Sequence, residues 1–379
     1  MDEILSLKRL GYLFYIVDPR KHIFEKIEEV PHYINEALPL FFLGYVLELV
    51  VAKWKNKKYH RTNDTITSVS QGILNESTKL FIRGFQVYLY IWIYDNWRLV
   101  TLPWNSIWTW LLSLFGVDFF YYWGHRFCHE INILWTIHQV HHSSEEFNIT
   151  SGLRQTLFVY YIISLVYLPL ALGIPPAIFF THHDLNLVYQ VWIHTRVVGN
   201  LGPLEYILNT PSHHRVHHGC NRYCIDKNYA GVFIIWDRMF GTFQAEDEEI
   251  VFGLTQPIQT FNPVYVQFSA YGKMLKTFWN IKGFKNKLSV LFKGPGWSPG
   301  KPRLGLKEDI PDIHAPREKY DPQLPMWCIV YLHFHSYVVA AFYIDLALQH
   351  QVIPQVVLVS GVVFCFISIV SFSAVMDKR

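Results

Sequence analysis

Between His125 and His142 the chain reads HRFCHEINILWTIHQVHH, with His125 and His129 four residues apart and His138, His141 and His142 in an HxxHH pattern. On a helix, residues three or four apart share a face, with Cβ atoms about 5–6 Å from one another. Each cluster therefore aims its rings at one point. Imidazole is the commonest metal-binding side chain and suits iron, zinc, copper or nickel. The HxxHH pattern returns as His214, His217 and His218. Eight such histidines exceed what one ion uses, and packing alone has no need of clustered imidazoles that must each find a partner when buried. The spacing predicts a two-metal site.

The histidines are set among long apolar runs. Leu38–Ala52 reads as a first membrane span, followed at once by Lys53, Lys55, Lys57, Lys58 and Arg61, a basic flank that places this end in the cytosol. A second helix is expected from about Ile73 to Tyr94, with Glu76, Lys79 and Arg83 in its first turns, and a third span from Trp104 to Gly124, delivering His125 just outside the membrane. Leu157–Phe180 and Leu185–Val198 read as a hairpin. Gly199–Pro325 is soluble in character, and Met326–Leu348 and Val352–Met376 are final spans before Lys378 and Arg379. The expected fold is all-α: a polytopic integral-membrane helical bundle with a cytosolic, histidine-rich di-metal cap. It divides into an amphipathic segment (1–35), a membrane catalytic domain (36–310), and a linker with a C-terminal transmembrane hairpin (311–379). The net charge of +3 comes with no Lys/Arg stripe, which excludes nucleic acid as a partner. Cys128, Cys220, Cys224, Cys328 and Cys365 form no disulfide framework and read as reduced thiols.

Metal-bound histidine usually gives its second N–H to a carboxylate or carbonyl. Asp118 lies about two turns before His125 on the same helical face, so its carboxylate is expected to meet that ring or a neighbouring one. Glu130, directly after His129, is either such a partner or a solvated helix residue. Asp237 either plays the same part or caps its helix and pairs with Arg238. His194 closes the returning arm of the hairpin and is a ninth candidate ligand, since an intramembrane histidine points to function. His182 and His183 fall at the far end of that arm and read as lumen-side interfacial residues. His213 points about 100° away from His214 and is the weaker candidate of the pair. His333 and His335 read as bundle-packing residues.

HRFCH, HQVHH and HHRVHH, in this order between membrane spans, resemble the histidine boxes of the fatty acid hydroxylase/sterol desaturase superfamily of integral-membrane di-iron enzymes. The flanking stretches HHSSEEFNITSGLRQT, NYAGVFIIWDRMFGTF, FGLTQPIQTF and GPGWSPGKPRLG are similar to those of its ether-lipid-cleaving branch. The resemblance implies two iron ions, tetrahydrobiopterin as reductant, molecular oxygen, an ether-lipid substrate, and residence in the endoplasmic reticulum membrane. It carries the eight box positions onto His125, His129, His138, His141, His142, His214, His217 and His218, matches Glu130, and gives His194 the place of a further ligand. Related hydroxylases offer histidine one turn earlier, where this chain has Gln190. Two other functions compete. A sterol or fatty-acyl hydroxylase fed by cytochrome b5 belongs to the same superfamily. A metal transporter is disfavoured, because the clusters lie outside the spans and no inverted repeat is visible.

Overall fold

In the computed structural model, which describes residues 6–57, 60–82 and 84–379, the chain is a bundle of helices. Lys58 and Arg83, and residues 1–5 of the N-terminal segment, lie outside the described residues. The α-helices are α1 (Leu7–Leu13), α2 (Tyr33–Trp54), α3 (Thr62–Phe81), α4 (Phe85–Trp97), α5 (Ile107–Glu130), α6 (Asn132–His138), α7 (Val159–Val166), α8 (Pro176–Trp192), α9 (Pro211–His218), α10 (Ile235–Met239), α11 (Pro263–Asn280), α12 (Phe284–Phe292), α13 (Met326–Gln349) and α14 (Gln355–Met376). Short 3-10 turns join several of them. The described residues contain two isolated antiparallel bridges, Leu208 with Phe233 and Gly219 with Phe252, and no strand.

Among the described residues, three helical segments are long and apolar enough to cross a membrane: Ile27–Trp54, Met326–Gln349 and Gln355–Met376. The expected second helix, Ile73–Tyr94, is instead two. α3 begins eleven residues earlier at Thr62, and Gly84, at φ 92°, stands in the left-handed region between α3 and α4. Hydropathy hides α3 because its buried face is polar: Asn63, Asp64, Ser68, Gln71 and Asn75 point inward to partners. One of these is Arg154, whose guanidinium meets Asp64 at 2.9 Å, both side chains being buried. At 1.5 Å per residue, α4 measures about 20 Å, short of the roughly 30 Å of a bilayer core.

The hairpin also turns elsewhere than expected. Proline is costly in a helix interior but suits the first helical position. Pro176 accordingly starts α8, which then runs unbroken through His182 and His183 to Trp192. These two histidines are therefore not interfacial. His182 is fully buried with Nδ1 2.7 Å from the Tyr15 hydroxyl, and His183 meets Gln86. Helices α2, α5 and α8 pack together, with α1 against α2 and α8. Tyr12, Tyr33, Ala37, Leu185 and Val188 form the core of that contact. A second core joins α3 to α13 and α14 through Ile66, Ile73, Leu332, Tyr343 and Ile369.

The site lies where α2, α5 and α8 end together. Lys55 donates to the Val197 carbonyl, and Arg61 pairs with Glu145 at 2.9 Å and Glu146 at 2.7 Å, just after the second histidine cluster. The basic end of α2 and the histidine cap therefore share one side of the bundle.

Candidate metal centre

Each box rides on a short rigid element. α5 is continuous from Ile107, so His125 and His129 stand one turn apart at its end. α6 and the 3-10 turn His141–Ser143 carry His138, His141 and His142. α9 starts with Pro211 in its first turn, and all eight of its residues are buried, including His214, His217 and His218. His194 follows directly on α8. The fold sorts these nine imidazoles into two groups. His125, His129, His138, His142 and His217 form one, and His141, His194, His214 and His218 the other. Within each group the ligand nitrogens lie within 4.8 Å of one another.

The hydrogen bonds settle which nitrogen is free. A carbonyl only accepts, so a ring Nδ1 beside one carries the proton and leaves Nε2 with its lone pair. His125 Nδ1 donates to the Tyr229 carbonyl (2.8 Å), His217 Nδ1 to Lys227 (2.9 Å), His141 Nδ1 to Arg154 (3.1 Å) and His194 Nδ1 to Gln190 (2.7 Å). His141 and His194 then face each other Nε2 to Nε2 at 3.3 Å with no proton between them. Two buried lone pairs at that distance repel unless they share a cation. Nitrogen–metal bonds of about 2.0–2.1 Å put neighbouring ligand atoms about 3 Å apart, close to the 2.9 Å between His214 and His194 and between His125 and His138. His129 Nε2, His217 Nε2 and His218 Nε2 are buried without any partner. The residues fit two metal ions.

Electrostatics agree with that use. Burial first, and then the neighbouring imidazoles, holds His138, His142, His214 and His218 well below the ordinary histidine pKa of 6.5. They are neutral and hence able to ligate at physiological pH.

The carboxylates do not sit where the sequence suggested. Asp118 is fully buried but touches no imidazole. It accepts from Val232 N (2.7 Å), Phe233 N (2.9 Å), Asn186 Nδ2 (2.8 Å) and Trp236 Nε1 (2.9 Å). Asp237 accepts from Tyr229 N and Ala230 N, both at 2.8 Å, and from Thr242. Burial pushes the Asp237 carboxyl up to about 6 against the pull of those donors. The two aspartates therefore clamp opposite ends of one loop, 229–233, whose Tyr229 carbonyl orients His125. Gly231 lets that loop approach, since a Cβ there would stand 2.8 Å from Asp118 Oδ1. Glu130 is drawn off by Arg126 and Arg303, each at 2.7 Å. His213 joins neither group and lies 3.8 Å from Glu205. His333 and His335 bond back to carbonyls of α13.

Sequence reasoning missed the orienting carbonyls of Arg154, Gln190, Lys227 and Tyr229, which leave no side-chain signature. It also missed Asp226, whose Oδ1 stands 3.6 Å from His129 Nδ1. Gln190 fills the position where related hydroxylases offer histidine, and here its backbone serves His194 while its side chain donates to Asn186 at 2.7 Å.

The sequence model of the fatty acid hydroxylase family matches residues 110–242, a stretch that holds every ligand candidate. Alkylglycerol monooxygenase of Homo sapiens is 49% identical over 369 residues, covering 97% of this chain and 83% of the relative. The protein of the same name from Xenopus tropicalis is 47% identical, covering 100% and 85%. That of Caenorhabditis elegans is 38% identical, covering 86% and 69%. This chain belongs to the alkylglycerol monooxygenase family. No solved structure matches it. Membership makes the protein a membrane oxidoreductase of the monooxygenase class. The two histidine groups could each hold a metal ion.

Proposed function

We propose that this enzyme cleaves the ether bond of alkylglycerols and of lyso ether lipids, using molecular oxygen and tetrahydrobiopterin at two iron ions held by the nine histidines. The observation that carries this reading is the pairing of nine buried imidazoles in two groups with 49% identity to a protein named for that activity. When bound, the iron pair supplies the means to reduce O2 and insert one oxygen atom at the alkyl carbon next to the ether oxygen. The second oxygen atom leaves as water, with two electrons from the pterin. The hemiacetal so formed collapses to a fatty aldehyde and a free glycerol hydroxyl.

The chain's own part is to hold the ligands. Four backbone carbonyls keep Nδ1 protonated and Nε2 available in His125, His141, His194 and His217. Asp118 and Asp237 act as positioning residues through the 229–233 loop, and Glu130 as an ion-pair partner between α5 and Arg303. The catalytic unit of the reading is 36–310. Its site faces the cytosol from the endoplasmic reticulum membrane, an orientation supported by Lys53, Lys55 and Lys57 beside the cap.

The test is aldehyde release by purified enzyme from an alkylglycerol, with tetrahydrobiopterin supplied and withheld. Release only with the pterin is expected. Turnover of a sterol or fatty acyl chain sustained by cytochrome b5, with none on the ether lipid, would replace this reading with the superfamily alternative.

A further inference from the structure

The stretch expected to be soluble, Gly199–Pro325, contains a surface that does not look soluble. α11 is apolar on two opposite faces. Pro263, Val266, Ala270 and Met274 are buried against the protein. Tyr265, Phe268, Leu275 and Trp279 recur at steps of three, seven and four and point outward, with Trp279 69% exposed. α12 repeats the pattern: Phe284, Leu288 and Phe292 recur every fourth residue on its outer side, with Phe284 75% exposed. A contiguous outward patch of this kind marks an interaction surface.

Charge identifies the occupant. Between Glu249 and Glu308 the sequence has no acidic residue, while Lys273, Lys276, Lys282, Lys285, Lys287 and Lys293 fall on or beside the two helices. Lys273, Lys276, Lys282 and Lys285 are exposed. An outward aromatic stripe edged by lysines is the composition of a helix lying in the headgroup layer of a membrane. Its place in the fold agrees. At the start of α11, Thr260 and the Phe261 N–H donate to Asp377, directly after the membrane-length helix α14. The hairpin thus leaves the bundle at the level where a spanning helix ends.

We propose that α11 and α12 form an in-plane membrane anchor that inserts its aromatic stripe among lipid headgroups and binds anionic lipid through its lysines. The anchor is tied to the metal cap. Asn132, the first residue of α6, donates its backbone N–H to the Lys293 carbonyl and its side chain to Val290, both at 2.8 Å. α6 carries His138. The hairpin therefore sets the height of the metal centre above the bilayer, and this inference stands independently of the substrate.

The experiment uses the full chain in lipid nanodiscs holding one copy each, made of phosphatidylcholine alone or mixed with phosphatidylserine. Nitroxide labels are placed by Phe268→Cys, Trp279→Cys, Phe284→Cys and Lys276→Cys; the five native cysteines are buried. Power-saturation measurements should place the three aromatic-site labels about 5–10 Å below the phosphates and the Lys276 label at phosphate level. Phosphatidylserine should deepen the first three, an effect that salt removes. A variant combining Lys273→Gln, Lys276→Gln, Lys282→Gln and Lys285→Gln should lose the phosphatidylserine dependence. Equal water accessibility at all four sites overturns the proposal. So does protection that appears only when a disc holds two chains, which would give the face to a second copy. Unchanged phosphatidylserine dependence in the lysine variant overturns the anionic-lipid part.

Discussion

The two histidine groups are made of the same side chain yet are built differently. The five-residue group draws on α5, α6, the 3-10 turn after it, and α9, and the loop 229–233 supports it. The four-residue group depends on His194, which hangs from the end of α8 beside the membrane helix α2. There Glu48 of α2, 1% exposed, accepts from Thr195 and from the Ile149 N–H, fastening the segments on either side of that group. Both groups combine a bundle helix with cap elements, α5 in the first and the end of α8 in the second, but the loop 229–233 supports the first and Glu48 the second.

The strongest test removes a ligand from each side. His217→Ala and His214→Ala should both abolish turnover while the protein still inserts in the membrane. Metal content by mass spectrometry should differ, because His214→Ala leaves only three ligands and should empty its group, whereas His217→Ala leaves four. Near-normal activity in both variants would break the two-metal proposal altogether.

A smaller effect is expected from the loop clamp. Asp118→Asn keeps the shape but removes the charge that accepts four hydrogen bonds. Loss of an orienting partner commonly costs about 10–100-fold in metal affinity or activity. The loss should fall on the five-residue group, with the other group retaining its ion; equal loss from both would show that the groups do not have separate supports. Glu48→Gln is the mirror experiment. It should weaken the four-residue group first, by a similar or smaller factor, and an unchanged metal content and rate would remove α2 from the account.

The smallest effect on the centre should come from His182→Ala. This buried ring belongs to neither group, so iron content should stay at the wild-type level. The protein should nonetheless lose about 1 kcal/mol of stability, because the Tyr15 hydroxyl loses its 2.7 Å bond to the ring and keeps only the 3.3 Å bond to the residue-182 carbonyl. Metal loss in this variant would mean that α8 couples the hairpin interior to the site.

The sequence by itself singled out the candidate ligands. HxxxH and HxxHH are local patterns, and helical periodicity alone brings such residues onto one face. The same locality made the final two spans readable, since an apolar run of sufficient length has few alternatives. His194 also stood out as a candidate, a lone polar ring closing an apolar run, and the fold brings it into the four-residue group.

Only the tertiary structure decided how the nine rings divide, because His141 and His142 are neighbours in sequence yet serve different groups. It also decided what the carboxylates do. Asp118 shares a helical face with His125, but the donors of the 229–233 loop, more than 100 residues away in sequence, capture its oxygens first. α3 escaped detection for the related reason that hydropathy records a side chain's polarity and not its partner. The hidden helix, the divided histidines and the diverted aspartate are all consequences of contacts between distant segments, which no local pattern encodes.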